Sequence, residues 1–113
     1  MEDKKLLELA AKAAGIEWEC FHEAGIEKYD GDLWNPLIDD GDALQLAVKL
    51  HLRIEINKAS VVIYWTHDDS EKSLYEYPNH TQGDDYDIVY SGHEEATRRA
   101  IVKAASKIGR DMK

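Results

Sequence analysis

The apolar residues of the chain recur at helical spacing in three segments, and each of these segments predicts a helix. The first predicted helix covers residues 3–14 and is followed by Gly15, a typical left-handed stop. Its apolar face is rich in alanine, so an element that packs on it can approach closely. The second predicted helix covers residues 40–50 and has apolar residues on most of its surface, among them Leu44 and Val48. We therefore expect this helix to be mostly buried.

The third predicted helix begins at a capping box, in which Ser91 and Glu94 satisfy free backbone amides of the first turn. Gly109 is expected in the fraying end of this helix. Residues at helical spacing predict the face that packs on the core, which consists of Thr97, Ala100, Ile101, Ala104 and Ile108.

Other segments alternate between apolar and polar residues, which is typical of half-buried strands. Residues 61–66 are apolar on both faces and are expected in the middle of a sheet, whereas 73–77 are expected at an edge. Residues 67–72 are predicted to form the turn between them. The remaining predicted strands are 16–21, a short strand at 26–29, and 52–56, while 86–90 is either a last strand or a lead-in to the third helix.

The order of these elements is α-β-(β)-α-β-β-β-α. It predicts an α+β fold in which a small, mainly antiparallel sheet packs with three helices. At 113 residues the chain is expected to form a single domain that covers residues 1–113. No apolar run approaches the roughly 20 residues that cross a bilayer, and the N-terminus lacks the pattern of a secretory signal, so no membrane partner is expected.

The distribution of charge restricts the class of partner. The net charge is −9, but the last twenty residues carry +3, so the first 93 residues carry −12. A body this acidic repels phosphate backbones, which makes nucleic acid an unfavourable partner over most of the surface. The same charge suits docking onto a basic protein.

Three aspartates, Asp39, Asp40 and Asp42, flank a glycine just before the second predicted helix, and they have two interpretations. They suit the start of a helix, where Asp39 or Asp40 accepts hydrogen bonds from free amides and Asp42 interacts favourably with the helix dipole. Alternatively, they hold the divalent cations of a metal-dependent hydrolase or nuclease. The spacing does not match a calcium-binding loop, and we favour the helix start.

Cys20 is the one cysteine of the chain, which excludes an internal disulfide and favours a reducing cytoplasm. On its predicted strand Cys20 points inward with Ile16 and Trp18, which favours a packing role over a nucleophile. The histidines lie at none of the spacings of a zinc-binding helix, and no phosphate-cradling glycine loop is present. No cofactor is therefore expected.

Two surfaces are candidates for binding. The third predicted helix carries a basic stripe that suits a nucleotide phosphate or simply offsets the acidic body, and it consists of Arg99, Lys103, Lys107 and Arg110. Tyrosine and tryptophan crowd residues 64–90, and these residue types are favoured both in strands and at recognition surfaces. The aromatic candidates for binding are Tyr64, Trp65, Tyr75 and Tyr77.

The strings LLELAAKAAGI, WNPLIDDGDALQLAVKL and ATRRAIVKAASKIG resemble a family of small phage and prophage proteins of Gram-negative bacteria. The similarity covers both ends and the centre of the chain. Members of that family have no assigned function. The resemblance therefore implies a viral accessory protein in a bacterial cytoplasm and supplies no catalytic residues.

These observations favour a non-enzymatic accessory protein of a phage or prophage, which binds and modulates a host macromolecule. The expected partner is a host protein. The first alternative is a small metal-dependent hydrolase or nuclease that uses Asp39, Asp40 and Asp42. The second is a binder of nucleotides or other phosphate ligands that uses the basic stripe.

Overall fold

A computed structural model of the chain describes residues 3–82 and 88–112, and for residues 79–82 and 88–91 it describes the backbone alone. Within these ranges there are three helices and eight strands. The helices are α1 (Asp3–Ala14), α2 (Asp40–Lys49) and α3 (His93–Asp111). The strands are β1 (Trp18–His22), β2 (Gly25–Lys28), β3 (Leu33–Trp34), β4 (Arg53–Ile56), β5 (Val61–His67), β6 (Ser70–Glu76), β7 (Asn79–Gln82) and β8 (Ile88–Ser91).

The α+β class is confirmed by the antiparallel strands and the three helices of the described ranges. The strands are divided among three sheets there, with the orders β1-β2-β3, β4-β5-β6 and β7-β8. As predicted, the apolar strand β5 is central in its sheet and β6 lies at an edge. Of the predicted segment 86–90, the part from Ile88 onward belongs to β8, and Tyr86 lies outside the described residues. No described helix is both long enough and apolar enough to span a membrane.

Helices α1 and α3 pack closely through small residues. The alanine-rich face of α1 is buried, as the sequence predicts. A Cβ atom built on Gly109 of α3 would overlap the carbonyl oxygen of Leu9 and lie 2.9 Å from its carbonyl carbon. The prediction that Gly109 lies in a fraying end is therefore wrong, because this glycine is buried where the two helix backbones meet.

The start of α3 also differs from the prediction. Its N-cap residue is Gly92, in the left-handed conformation and without a side-chain cap, so the predicted capping box at Ser91 is wrong. Ser91 instead ends β8 and pairs with Asn79 of β7. The backbone of Ser91 is paired with β7, and Ser91 is not the N-cap residue of α3. Gly92 follows it in the left-handed conformation, which connects β8 to α3.

Burial along α3 is wider than the predicted stripe, because α3 packs against α1 on one side and against β5 and β6 on another. Ala100, Ile101 and Ala104 are buried as predicted. Thr97 and Ile108 are half-buried, whereas Val102 and Ala105, outside the predicted stripe, are fully buried.

Helix α2 is not mostly buried, which corrects the prediction. Its buried residues are Ala43, Leu46 and Ala47. Leu44 is 61% exposed and Val48 is 66% exposed. Apolar spacing shows which residues a partner element can cover, but it does not show that such an element is present.

The predicted turn at 67–72 is shorter than expected, because β6 begins at Ser70. Asp68 and Asp69 alone connect β5 to β6, and both have positive φ values, 50° and 63°. This is the backbone of a two-residue type I′ hairpin turn, in which aspartate is tolerated.

Replacing Gly109 with alanine is expected to lower the free energy of unfolding by at least about 2 kcal/mol, because the new methyl group would overlap the backbone of α1. At an exposed helix position, replacing glycine with alanine raises the free energy of unfolding by about 1 kcal/mol. The sign of the change therefore shows whether Gly109 is in close contact with α1. Urea unfolding measures the change. Lys107→Ala, at an exposed position of α3, is the control. A neutral or stabilising Gly109→Ala would contradict the packing described above.

Candidate functional site

The aspartate cluster is built into the start of α2. Asp39 is the N-cap residue, and its Oδ1 accepts a hydrogen bond of 2.8 Å from the backbone amide of Asp42. The Asp42 carboxylate in turn accepts a bond of 2.9 Å from the backbone amide of Asn35. Asp40 pairs with Arg98 of α3 at 2.7 Å. The prediction of a helix start is confirmed for Asp39 and Asp42.

The same contacts bear on the metal alternative. The three carboxylates accept hydrogen bonds from three different protein donors, on the turn before α2, within its first turn and on α3. Within the described part of the chain, the residues that gather donor atoms closely enough for a metal ion do not include Asp39, Asp40 or Asp42. The hydrolase hypothesis therefore has no support from the geometry of these aspartates.

Two of the four residues of the basic stripe of α3 make contacts within the protein. Arg99 bonds to Asp3 of α1 at 3.2 Å, and Lys103 bonds to Glu76 of β6 at 2.9 Å. These two cations tie α3 to its neighbours, which leaves the C-terminal part of the stripe for a ligand.

That remaining part of the stripe borders a cleft between α3 and β6. Lys107, Arg110 and Asp111 of α3 line the cleft together with Lys72 and Ser73 of β6 and Trp65 of β5. Among the described residues, none of the three cations forms an ion pair. With three cations and one carboxylate, that of Asp111, the cleft has a net positive charge in an otherwise acidic protein.

The aromatic candidates are not on one surface. Trp65 belongs to the core and is 8% exposed, so little of its side chain is available to a partner. Tyr64 points to the opposite face of β5, where the Arg53 guanidinium lies 4.3 Å from its ring centre. Burial and the neighbouring Glu55 carboxylate raise the pKa of Tyr64. Tyr75, diagonal to Tyr64 on the same face, is exposed, as is Tyr77 just beyond β6.

A second exposed surface is aliphatic and lies at α2. Leu44 and Val48 are one turn apart on one face of the helix. Ile38 precedes its cap, and Ile56 of β4 borders the cleft beside Ala43. All four aliphatic side chains are at least 60% exposed. We refer to Ile38, Leu44, Val48 and Ile56 as the aliphatic surface.

The first hairpin, β1–β2, brings together Cys20, His22 and Glu27. Cys20 Sγ lies 3.3 Å from His22 Nε2 and 3.2 Å from Glu27 Oε2, and the latter two atoms are 3.7 Å apart. Cys20 is half-buried rather than buried, and it does not share the inward direction of Trp18. The predicted packing role of Cys20 is thus not what its surroundings show.

A β-bulge explains this reversal. The pairing register between β1 and β2 shifts between Trp18 and Cys20, so Glu19 is an extra residue in the ladder. Beyond the bulge it is Phe21 that packs on the core, while Cys20 and His22 face away from it.

The surroundings of Cys20 favour the protonated form of its thiol. Its hydrogen bond to Glu27, its partial burial and the negative charges of Glu27 and Glu19 all raise its pKa. A thiolate is the nucleophilic form of cysteine, so this environment disfavours a role in covalent catalysis.

Comparison with known proteins gives no relative for this chain. No family model, no curated protein and no solved structure matches it. The resemblance to phage and prophage proteins therefore stays a prediction, and the function has to be inferred from the side chains.

The sequence contains a signal for the Cys20, His22 and Glu27 group, although helix-based metal spacings do not reveal it. Residues two apart on a strand share a face, so the string C-x-H places a thiol and an imidazole side by side. The position of Glu27 follows from the tight turn between β1 and β2. A search for ligand pairs at strand spacing would have found this group.

Replacing Asp39 with alanine is expected to lower the free energy of unfolding by about 1 kcal/mol, because the cap of α2 is lost. Asp39→Asn should be close to wild type, since an amide oxygen also caps. Thermal unfolding measures the stability of both variants. Repeating it with millimolar Mg²⁺ or Mn²⁺ tests whether the aspartates bind a metal ion. A metal-dependent rise in the unfolding temperature of wild type that Asp39→Asn abolishes would restore the hydrolase hypothesis.

Proposed function

We propose that the chain is a non-enzymatic binding protein whose partner is a protein that covers the aliphatic surface. The observation that carries the proposal is the exposure of Leu44 and Val48, 61% and 66%, on a helix whose sequence has the apolar spacing of a buried element. Isolated exposed apolar residues are common, but a group of them at one helix marks an interaction surface.

The energetics favour a covering partner. Fully burying an aliphatic side chain contributes about 1.5–3 kcal/mol, so covering the exposed parts of Leu44 and Val48 would contribute roughly 1–2 kcal/mol each. Ile38 and Ile56 are exposed as well and add further apolar area. These values do not include the entropic cost of association, which contacts in the rest of the interface have to offset.

The charges around the aliphatic surface define the chemistry of the partner. Asp40, Glu94 and Arg98 line the cleft beside Ile56. Arg98 pairs with Asp40, and the exposed Glu94 adds a negative charge. The body of the chain carries strong negative charge. A complementary partner therefore presents an apolar groove with a basic rim. If the resemblance to phage proteins holds, this partner is a host protein met in a bacterial cytoplasm.

The aliphatic surface is a better candidate for a protein-binding surface than the tyrosines Tyr64, Tyr75 and Tyr77. Tyr64 is already held by contacts within its sheet, to Arg53 and Glu55. Tyrosine is common in strands without any binding role, whereas an amphipathic helix has no structural reason to expose a leucine and a valine one turn apart.

The double variant Leu44→Gln/Val48→Gln tests this proposal. Both substitutions keep the helix and remove only exposed apolar surface, so thermal unfolding should change little. Each immobilised protein is exposed to a lysate of Gram-negative bacteria, and the retained proteins are identified by mass spectrometry. Wild type should retain a host protein that the double variant loses.

The matched control is Tyr75→Gln/Tyr77→Gln, which removes a similar exposed area from a different surface. This control should retain the same host protein as wild type. Equal retention by the α2 variant, or a loss confined to the tyrosine variant, contradicts the proposal. Sedimentation showing that wild type dimerises through Leu44 and Val48 would also contradict it, because a second copy would then cover the surface.

A second candidate function rests on the cleft between α3 and β6, which is lined by Lys72, Lys107 and Arg110 together with the single carboxylate of Asp111. We propose it as a site for a phosphate-bearing ligand, since clustered cations with an exposed approach bind phosphate groups. Inorganic phosphate and a nucleotide panel should raise the unfolding temperature of wild type. Lys107→Gln/Arg110→Gln should abolish that rise, whereas Lys49→Gln, on α2, should not. No rise with any of these ligands excludes this candidate.

A further inference from the structure

We propose that Cys20, His22 and Glu27 form a transition-metal site that holds Zn²⁺ through three protein ligands on the first hairpin. The site is separate from the aliphatic surface and from the basic cleft, and it would be present whatever partner the protein binds. Its support is the geometry of three side chains and the backbone that positions them.

The donor atoms are spaced as a tetrahedral zinc ion requires. Zinc bonds of about 2.3 Å to sulfur and about 2.0–2.1 Å to nitrogen and oxygen place neighbouring ligand atoms about 3.3–3.6 Å apart. The observed separations are 3.2 Å from sulfur to oxygen, 3.3 Å from sulfur to nitrogen and 3.7 Å from nitrogen to oxygen. An ion therefore fits among Cys20, His22 and Glu27 with side-chain shifts of a few tenths of an ångström.

The backbone fixes these positions in two ways. Cys20 and Glu27 are directly paired across the two strands, and His22 lies two residues beyond Cys20 on the same face. The bulge at Glu19 is what turns that face away from the core. Because the ligands belong to a paired hairpin, the site is largely formed before the metal arrives.

The turn that closes the hairpin is anchored to the rest of the protein. The side-chain amide of Asn35 donates a hydrogen bond of 3.1 Å to the carbonyl oxygen of Ala24. Gly25, at φ +130°, approaches the backbone of Trp34 so closely that a Cβ atom would lie 2.6 Å from the Trp34 oxygen. The two residues between β1 and β2 are thus held in place, and so are the ligands on either side of them.

The donor set selects the metal. A cysteine sulfur with an imidazole and a carboxylate suits zinc and cobalt, whereas magnesium and calcium prefer oxygen ligands alone. On binding, the sulfur–metal bond replaces the S–H bond of Cys20, and the thiol proton passes to solvent. The Glu27 carboxylate, which accepts that S–H group in the metal-free protein, becomes a ligand instead.

The site has an open side. The His22 side chain is 49% exposed and that of Glu27 is 34% exposed, so solvent reaches the ligands. Three protein ligands with one solvent-facing position is the coordination of zinc sites that hold a water molecule or an external ligand, rather than of closed structural sites. The fourth ligand is accordingly water or a side chain of a bound partner.

Cobalt is the probe for this proposal, because Co²⁺ takes the same ligands as zinc and is coloured. The untagged chain of 113 residues is titrated with Co²⁺ in the presence of a phosphine reductant that does not bind metals. One equivalent should produce the thiolate-to-cobalt charge-transfer band and the intense visible bands of tetrahedral cobalt. Zn²⁺ should bleach these bands, and Mg²⁺ in excess should not. The absence of a thiolate band in the folded wild-type protein overturns the proposal.

Variants assign the ligands. Cys20→Ser should lose the charge-transfer band, and His22→Gln and Glu27→Gln should each bind Co²⁺ at least about tenfold more weakly. Glu17→Gln, at an exposed position just before β1, and His51→Gln are the matched controls and should bind as wild type does. Circular dichroism checks that each variant is folded. An unchanged affinity in Cys20→Ser, or equal losses in the controls, overturns the assignment, and the wild-type titration decides the question if a variant unfolds.

Discussion

The close packing of α1 against α3 is the contact on which the arrangement of the other elements depends. At Gly109 the helix backbones meet without a side chain between them, and buried alanines line α1 along its length. Close approach of this kind buries apolar surface efficiently, and it leaves no room for even one added methyl group. The opposite side of α3 is then free to pack on β5 and β6. Helix α3 is therefore the centre of the fold rather than a covering element.

The cations of α3 extend this arrangement. Arg99 reaches α1, Lys103 reaches β6, and Arg98 donates both to the Leu37 carbonyl oxygen and to Asp40 at the start of α2. Exposed ion pairs contribute little each, but the Arg98 side chain is 19% exposed and binds two acceptors, so it fixes where α2 begins. Two of the four residues of the basic stripe, Arg99 and Lys103, thus have a structural role.

Local patterns predicted the elements well, because helix periodicity, strand alternation and caps depend on residues near one another. The bounds of α1, the central position of β5 and the cap at Asp39 are of this kind. The grouping of strands into separate sheets and the exposure of Leu44 depend on which distant elements meet. No spacing along the chain contains that information, so these features could not be predicted from the sequence.

The face on which Cys20, His22 and Glu27 lie could not be predicted, for a different reason. Alternation assigns every second residue of a strand to one face, and a single bulge reverses the assignment for all residues beyond it. Trp18 and Cys20 look equivalent in the sequence, but Glu19 between them is the inserted residue. The inserted residue interrupts the hydrogen-bond ladder between β1 and β2. Without a ligand, the bulge only leaves the side chains of His22 and Glu27 open to solvent and the thiol of Cys20 half-buried. A metal ion on Cys20, His22 and Glu27 would bond across both strands beside the bulge, and so stabilise the hairpin where its own hydrogen bonding is interrupted.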